Sequence, residues 1–190
     1  MKVTFLGTGT SQGVPVIGCQ CAVCQSTDAR DKRLRSSVFI EVDGLHIVID
    51  TGPDFRQQML RVGTRQLDAV LFTHGHKDHT AGFDDIRAFN YIQQKAMDVY
   101  ADHLVNEVLR RDFYYCFDDF KYPGVPDLNL HIFDEQPFKI GNVTVTPISL
   151  LHYKLPVYGF RIGDFTYITD ANSISEAEKE KIKGSKVLVL

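Results

Sequence analysis

The stretch Leu71–Gly82, LFTHGHKDHTAG, decides how this chain is read. The run Ala69–Thr73, AVLFT, has the look of a buried strand, and His74, His76, Asp78 and His79 follow it within six residues. Side chains two apart in extended chain project to the same side, so His74 and His76 can grip one cation together. Gly75 between them lets the backbone turn tightly. Asp78 and His79 are adjacent, so they should point differently and could serve a second cation. Neutral imidazoles with a carboxylate suit zinc, manganese or iron. The bland alternative is a polar loop that happens to be rich in histidine.

Working outward, short apolar and β-branched runs recur with turn signals between them. KVTFL at 2–6 reads as a first strand, and 38–50, VFIEVDGLHIVID, as a hairpin closed by Asp43-Gly44. Gly141-Asn142 and Gly163-Asp164 mark two further hairpins. Helices are predicted at about 53–62, 79–94, 103–117 and 175–183. The last opens on Ser175 with Glu178 three residues on, a capping-box pattern. Hairpins interleaved with helices predict a layered α/β architecture in one domain over residues 1–190. The chain closes on KVLVL, which reads as a strand; a domain rarely stops inside a core strand, so further sequence is expected beyond Leu190.

Composition narrows the class. With 190 residues, 44% of them hydrophobic, the chain can bury a substantial core. A net charge of -3 gives no broad attraction to nucleic acid or anionic membranes. No apolar run is long enough to span a bilayer, and the N-terminus lacks a signal-peptide pattern, so a cytoplasmic location is expected. Cys19, Cys21 and Cys24 lie in the longest stretch without periodicity, from about 8 to 36. A long ordered loop is usually functional or held by something. In a reducing compartment, clustered thiols more often bind metal than pair with each other. Cys21 and Cys24 form C-x-x-C, but the βαβ context of a redox motif is absent. GTGTSQG at 7–13 is spaced G-x-G-x-x-x-G and is not followed by a helix, so it fails as a dinucleotide fingerprint.

His-x-His-x-Asp-His after a strand resembles the signature of the metallo-β-lactamase superfamily. The supporting pieces stand in the order that resemblance expects: IVIDTG with Asp50, PISLLH with His152, and TYITDAN with Asp170. The opening GTGTSQGVPVIGCQCAVC is similar to that of the PhnP-type phosphodiesterases. The resemblance implies an αββα sandwich of the metallo-β-lactamase type, its C-terminal part missing here. It implies two divalent ions, zinc or manganese: one held by His74, His76 and His152, the other by Asp78 and His79, with Asp170 bridging. Asp50 would orient a ligand histidine from behind. Cys19, Cys21 and Cys24 would hold a structural zinc, completed in that family by a histidine near the C-terminus. With no such histidine before Leu190, zinc there is expected to be weak or absent in this chain. Lys154 and Arg87 match cationic residues that could hold a phosphate; each is equally well a solvated surface charge.

The activity so implied is hydrolysis of a small cyclic phosphate or nucleotide-like diester by a hydroxide shared between the two ions. The cations would also attract an anionic substrate to an acidic chain. The same ligands would serve a lactonase or thioesterase, and a non-catalytic metal-binding accessory protein can be built on the same fold. The expected partner is a small phosphodiester, without membrane or extensive nucleic-acid surface; dimers are common in that family, so a homodimer is a further possibility. His46, His103 and His131 have no motif around them, and Cys116 reads as a small buried hydrophobe.

Overall fold

A computed structural model describes residues 1–190. Two sheets lie face to face. The first contains β1 (Lys2–Gly7), β2 (Ser37–Val42), β3 (Leu45–Ile49), β4 (Ala69–Leu71), β5 (Met97–Ala101) and β6 (Leu128–Ile132), in that order across the sheet. Its first three strands are antiparallel and the rest run parallel. The second sheet runs from β7 (Phe138–Ile140) through β8 (Val143–His152), β9 (Leu155–Ile162) and β10 (Phe165–Tyr167) to β11 (Val187–Val189).

Strand side chains alternate between two cores, as period-two geometry requires. Val38 and Ile40 of β2, Ile47 and Ile49 of β3, and Ala69 and Leu71 of β4 pack between the sheets against Val145, Phe160 and Phe165. Their neighbours Phe39, Val48 and Val70 face the other way. There they meet Phe55 and Met59 of α2 (Phe55–Val62), Phe89 of α4 (Arg87–Gln93) and Leu109 of α5 (His103–Asp112). On the far side, Ile148, Leu150 and Val157 are covered by Ile182 of α6 (Glu176–Ile182). Helix, sheet, sheet and helix therefore stack in the αββα order that the resemblance implies.

The three predicted hairpins form, and Asp43 and Gly44 adopt left-handed φ values of 49° and 80°. The second sheet has more than the sequence offers. β8 and β9 pair continuously from Val145↔Ile162 to His152↔Leu155, so the chain folds back at Tyr153-Lys154. β5 and β6 escape prediction because parallel pairing leaves no turn signal between them. The terminal KVLVL forms a strand, β11, which pairs in parallel with β10 and leaves Val187 52% exposed.

The helix expected at about 79–94 is broken in three: α3 (Lys77–Thr80), a 3-10 turn at Phe83–Ile86, and α4. The cause is tertiary. Gly82 N–H donates to Thr51 O at 2.8 Å, which pulls the chain out of helical register. The helix expected at 103–117 ends at Asp112 and a 3-10 turn follows at Tyr114–Cys116. Ser175 caps α6 as predicted, accepting from Glu178 N–H. The reciprocal half of the box does not form. Glu178 instead accepts from Ser149 N–H of β8 and pairs with Lys181, which pins α6 to the sheet. The glycine turn at 7–13 packs against residues 33–35, where Gly9 N–H donates to Leu34 O. A short helix, α1 (Ala22–Gln25), and a 3-10 turn at Ala29–Asp31 interrupt the loop.

Candidate metal centre

β4 delivers the chain into the gap between the sheets, and Tyr158 N–H of β9 donates to Thr73 O at 2.9 Å, tying the motif to the second sheet. His74 and His76 face each other as two-apart spacing predicts, with His74 Nε2 3.1 Å from His76 Nδ1. His152, at the end of β8, brings its ring within 6.0 Å of the His74 ring and 5.5 Å of the His76 ring, centre to centre.

Asp78 and His79 correct the expectation that they point differently. His76 stands in extended conformation before α3, and that short helix turns Asp78 and His79 together. Asp78 Oδ2 lies 3.2 Å from His79 Nε2, and Asp170 Oδ2 lies 2.9 Å from the same nitrogen. The His79 ring also sits 4.2 Å from the His74 ring, centre to centre. His74, His79 and Asp170 offer donor atoms all within 4.8 Å of one another, so the residues form one converging cluster. Gly75 serves by size rather than by turning: a Cβ there would meet Val108 Cγ2 of α5 at 2.9 Å.

Behind the donors stands a buried polar layer. Asp50, fully buried, accepts from Thr73 N–H at 2.9 Å through one oxygen and from Thr73 Oγ1 at 2.8 Å through the other. The second oxygen also lies 2.7 Å from His79 Nδ1. Asp50 thus holds the His79 ring with Nδ1 toward itself and Nε2 toward the cluster, the arrangement metal-binding histidines need. Thr73 does the same for His74, its hydroxyl 3.0 Å from Nδ1. Thr73 escaped the sequence reading, although it stands beside His74. The available signal was its position, one residue before the first histidine.

The electrostatics follow from burial and three carboxylates. Burial, with the neighbouring His79, brings His74 down to about 4, so its ring is neutral at pH 7. Burial opposes charge on His79 too, yet Asp50, Asp170 and Asp78 outweigh it and raise His79 to about 12. Asp170, paired with His79, moves well below the usual carboxylate range. Buried imidazoles among carboxylates are the donor set of a divalent N/O site. A cation there could be held by His74, His76, His79, His152, Asp78 and Asp170. It competes with the proton on His79 Nε2, since metal ligands must be deprotonated. Affinity for the cation that His79 holds is therefore expected to fall as pH falls from 8 to 6, with about one proton released from His79 as that cation binds. Calorimetric titrations in two buffers of different ionisation enthalpy would check this; heats independent of buffer would contradict it. The opposite pH dependence holds for the metal-free fold, whose stabilisation by protonated His79 is full below the ordinary histidine value of 6.5 and is lost as pH rises toward about 12.

The cysteines make a second cluster, their sulfurs within 4.8 Å of one another. Cys21 Sγ accepts from Cys24 N–H at the start of α1, and Cys24 Sγ accepts from Val16 N–H. The Cys24 N–H and the thiols of Cys19 and Cys24 bring Cys21 down to about 7. Three close thiols, one part-ionised at neutral pH, fit a soft divalent ion.

Lys154 lies at the β8–β9 turn, next to Tyr153 and His152. Arg87 opens α4, where it pairs with Asp84 at 2.9 Å and remains half exposed. His46 stacks on Phe39, His131 of the edge strand β6 pairs with Asp98 of β5, and His103 begins α5; none joins the cluster. Cys116 is buried in the helix-side core, which raises its thiol to about 11. No helix is long and apolar enough to cross a membrane.

Comparison with known proteins bears on the family and the fold. The β-lactamase superfamily domain matches residues 46–190. The crystal structure of a diphosphatase from the PhnP family is 39% identical, with a TM-score of 0.90 over 98% of this chain and 71% of that chain. An octanoyltransferase of Porphyromonas gingivalis is 42% identical across the whole of this chain, which spans 39% of that protein. Coenzyme PQQ synthesis protein B of Methylorubrum extorquens is 26% identical over the whole chain and 72% of that protein. Zinc-bound PqqB from Methylobacterium extorquens, 24% identical, shares the fold with a TM-score of 0.73 over 99% of this chain and 71% of that chain. The chain therefore belongs to the metallo-β-lactamase superfamily, with a diphosphatase of the PhnP family among its relatives.

Proposed function

We propose that this chain carries the centre of a metal-dependent phosphodiesterase that cleaves small cyclic or nucleotide-like phosphate esters. The convergence of His74, His79 and Asp170 donor atoms within 4.8 Å, backed by Asp50 and Thr73, carries the reading. Two divalent ions, zinc or manganese, would be held by His74, His76 and His152 and by Asp78 and His79, with Asp170 between them. Bound there, such ions supply Lewis acidity toward a phosphoryl oxygen and a nucleophile from water near neutral pH.

The protein's own part is orientation. Asp50 keeps the His79 proton on Nδ1, Thr73 fixes the tautomer of His74, and burial of His74 and His79 keeps bulk water from competing for those two donors. The relative described as a diphosphatase of the PhnP family favours phosphoryl over acyl chemistry. The octanoyltransferase relative does not weigh the other way, because the match spans 39% of it. The three converging thiols of Cys19, Cys21 and Cys24 support a structural zinc in a full-length protein that supplies a fourth ligand; these 190 residues alone should hold it weakly, since tetrahedral zinc takes four.

The test is a panel of an aryl phosphodiester, a nucleoside diphosphate, a lactone and a thioester, given to metal-loaded protein. Phosphoryl substrates should turn over, and His76→Ala should lose about 100-fold or more of that activity. Acyl turnover without phosphoryl turnover would replace the reading with a lactonase or thioesterase. Bound metal without turnover of either class would favour an accessory protein, the reading that the similarity to PQQ synthesis protein B recommends.

A further inference from the structure

Five residues other than glycine have left-handed backbone. Two are routine: Asp43 turns the β2–β3 hairpin and Gln94 ends α4. The other three are Asp50, Tyr153 and Asp170, with φ of 66°, 56° and 57°. Asp50 and Asp170 both hold His79. Such backbone clusters where function requires it and surrounding contacts enforce it. Tyr153 lies beside the same cluster, directly after His152.

Its position is unusual for its type. Two-residue hairpin loops take left-handed residues as glycine, asparagine or aspartate, and a bulky aromatic is disfavoured. Burial does not explain it, because Tyr153 is 78% exposed. The backbone is nevertheless held: Tyr153 N–H donates to Asn172 Oδ1 at 2.9 Å. Asn172 N–H donates to Leu151 O and Leu151 N–H to Ser173 O, lacing the hairpin tip to the loop that carries Asp170. The ring sits 5.4 Å from the His152 ring, inclined at 51°. An exposed aromatic ring thus stands beside His152 on a backbone laced to the Asp170 loop, a place from which it could meet an organic group attached to a phosphate bound at the cluster.

We propose that Tyr153 is a specificity-determining residue, a stacking platform for a planar ring, so that the preferred substrates are phosphate esters bearing a nucleobase or aryl group. This rests on the phosphoryl-transfer reading above. Stacking on an aromatic tolerates any base, since each presents a π-face. It would hold ground and transition states alike and therefore act on KM rather than kcat.

Tyr153→Asn retains a residue at ease in left-handed backbone and removes the ring, while Tyr153→Phe retains the ring. With metal-loaded protein, Tyr153→Asn should raise KM for an aryl or nucleotide diester about 10-fold and leave kcat near wild type. KM for a dialkyl phosphate diester should stay unchanged, and Tyr153→Phe should match wild type on both. Equal losses on alkyl and aryl esters, or a Tyr153→Phe variant as weak as Tyr153→Asn, would overturn the proposal. A second readout is independent of turnover: binding of adenosine monophosphate and of inorganic phosphate, followed by ligand-observed NMR. Tyr153→Asn should weaken the nucleotide about 10-fold and leave phosphate unchanged. Unaltered nucleotide binding would overturn the platform even if the protein hydrolyses phosphodiesters. Selective loss of nucleotide binding would uphold it even if hydrolysis were absent, in which case only the catalytic reading fails. Circular dichroism melts confirm that each variant is folded.

Discussion

Asp50→Asn is expected to lower affinity for divalent cations about 10- to 100-fold while leaving the chain folded. The substitution preserves shape and changes one oxygen into a donor. Asp50 Oδ2 lies within 2.8 Å of both Thr73 Oγ1 and His79 Nδ1, and Oδ1 accepts from Thr73 N–H. With the backbone bond to Thr73 kept by the amide oxygen, the amide nitrogen must face His79 Nδ1. Two donors then oppose each other, and the ring relieves the clash by moving its proton to Nε2, the atom meant for the cation. The altered hydrogen bonding costs about 1–3 kcal/mol of stability, and loss of the Asp50 charge also releases the hold on protonated His79. Competition against a chromogenic chelator measures the affinity, and a thermal melt of metal-free protein measures the stability. An unchanged affinity would mean that His79 is oriented without Asp50.

Gly52→Ala should have the larger effect on folding. A Cβ on Gly52 would lie 2.1 Å from Asp78 O, and one on Gly82 would lie 2.1 Å from Gly52 O. The obstacles are backbone atoms and have little freedom to move. Thr51 N–H donates to His79 O and Gly82 N–H donates to Thr51 O, both at 2.8 Å, so the segments following β3 and β4 are stitched where Asp78 and His79 originate. Overpacking of this kind costs about 3 kcal/mol or more. For a chain of this size that lowers the melting temperature by roughly 6–12 °C. The same displacement would move Asp78 and His79 and weaken metal binding in parallel. Equal melting temperatures for variant and wild type would show that these segments are not held in contact.

The sequence by itself determined what depends on neighbours along the chain. Alternation in β2, β3 and β4 announced strands because each side chain chooses a face by a period of two. Asp43-Gly44 announced its hairpin because few residue pairs accept left-handed backbone twice. The His74–His79 motif named a candidate metal centre because nitrogen and oxygen donors in six residues have few other uses. The resemblance it carries supplied the αββα fold, and with it His152 and Asp170 as candidates.

Only tertiary structure decided how those pieces meet. His152 and Asp170 reach the motif through the long β8–β9 pairing and a bond between Tyr158 and Thr73, and neither leaves a local mark. The helix expected through 79–94 breaks because Gly82 is claimed by Thr51, from a segment some thirty residues earlier in the chain. Asp78 and His79 converge because α3 is a single turn, and propensity cannot foretell where a helix is made to stop. Thr73 and Tyr153 became visible as functional groups only once their hydrogen bonds and exposure were known. The physical reason is common to all of these. Residue type and spacing fix which groups are available, whereas direction, tautomer and charge are set by partners that the fold brings from elsewhere in the chain.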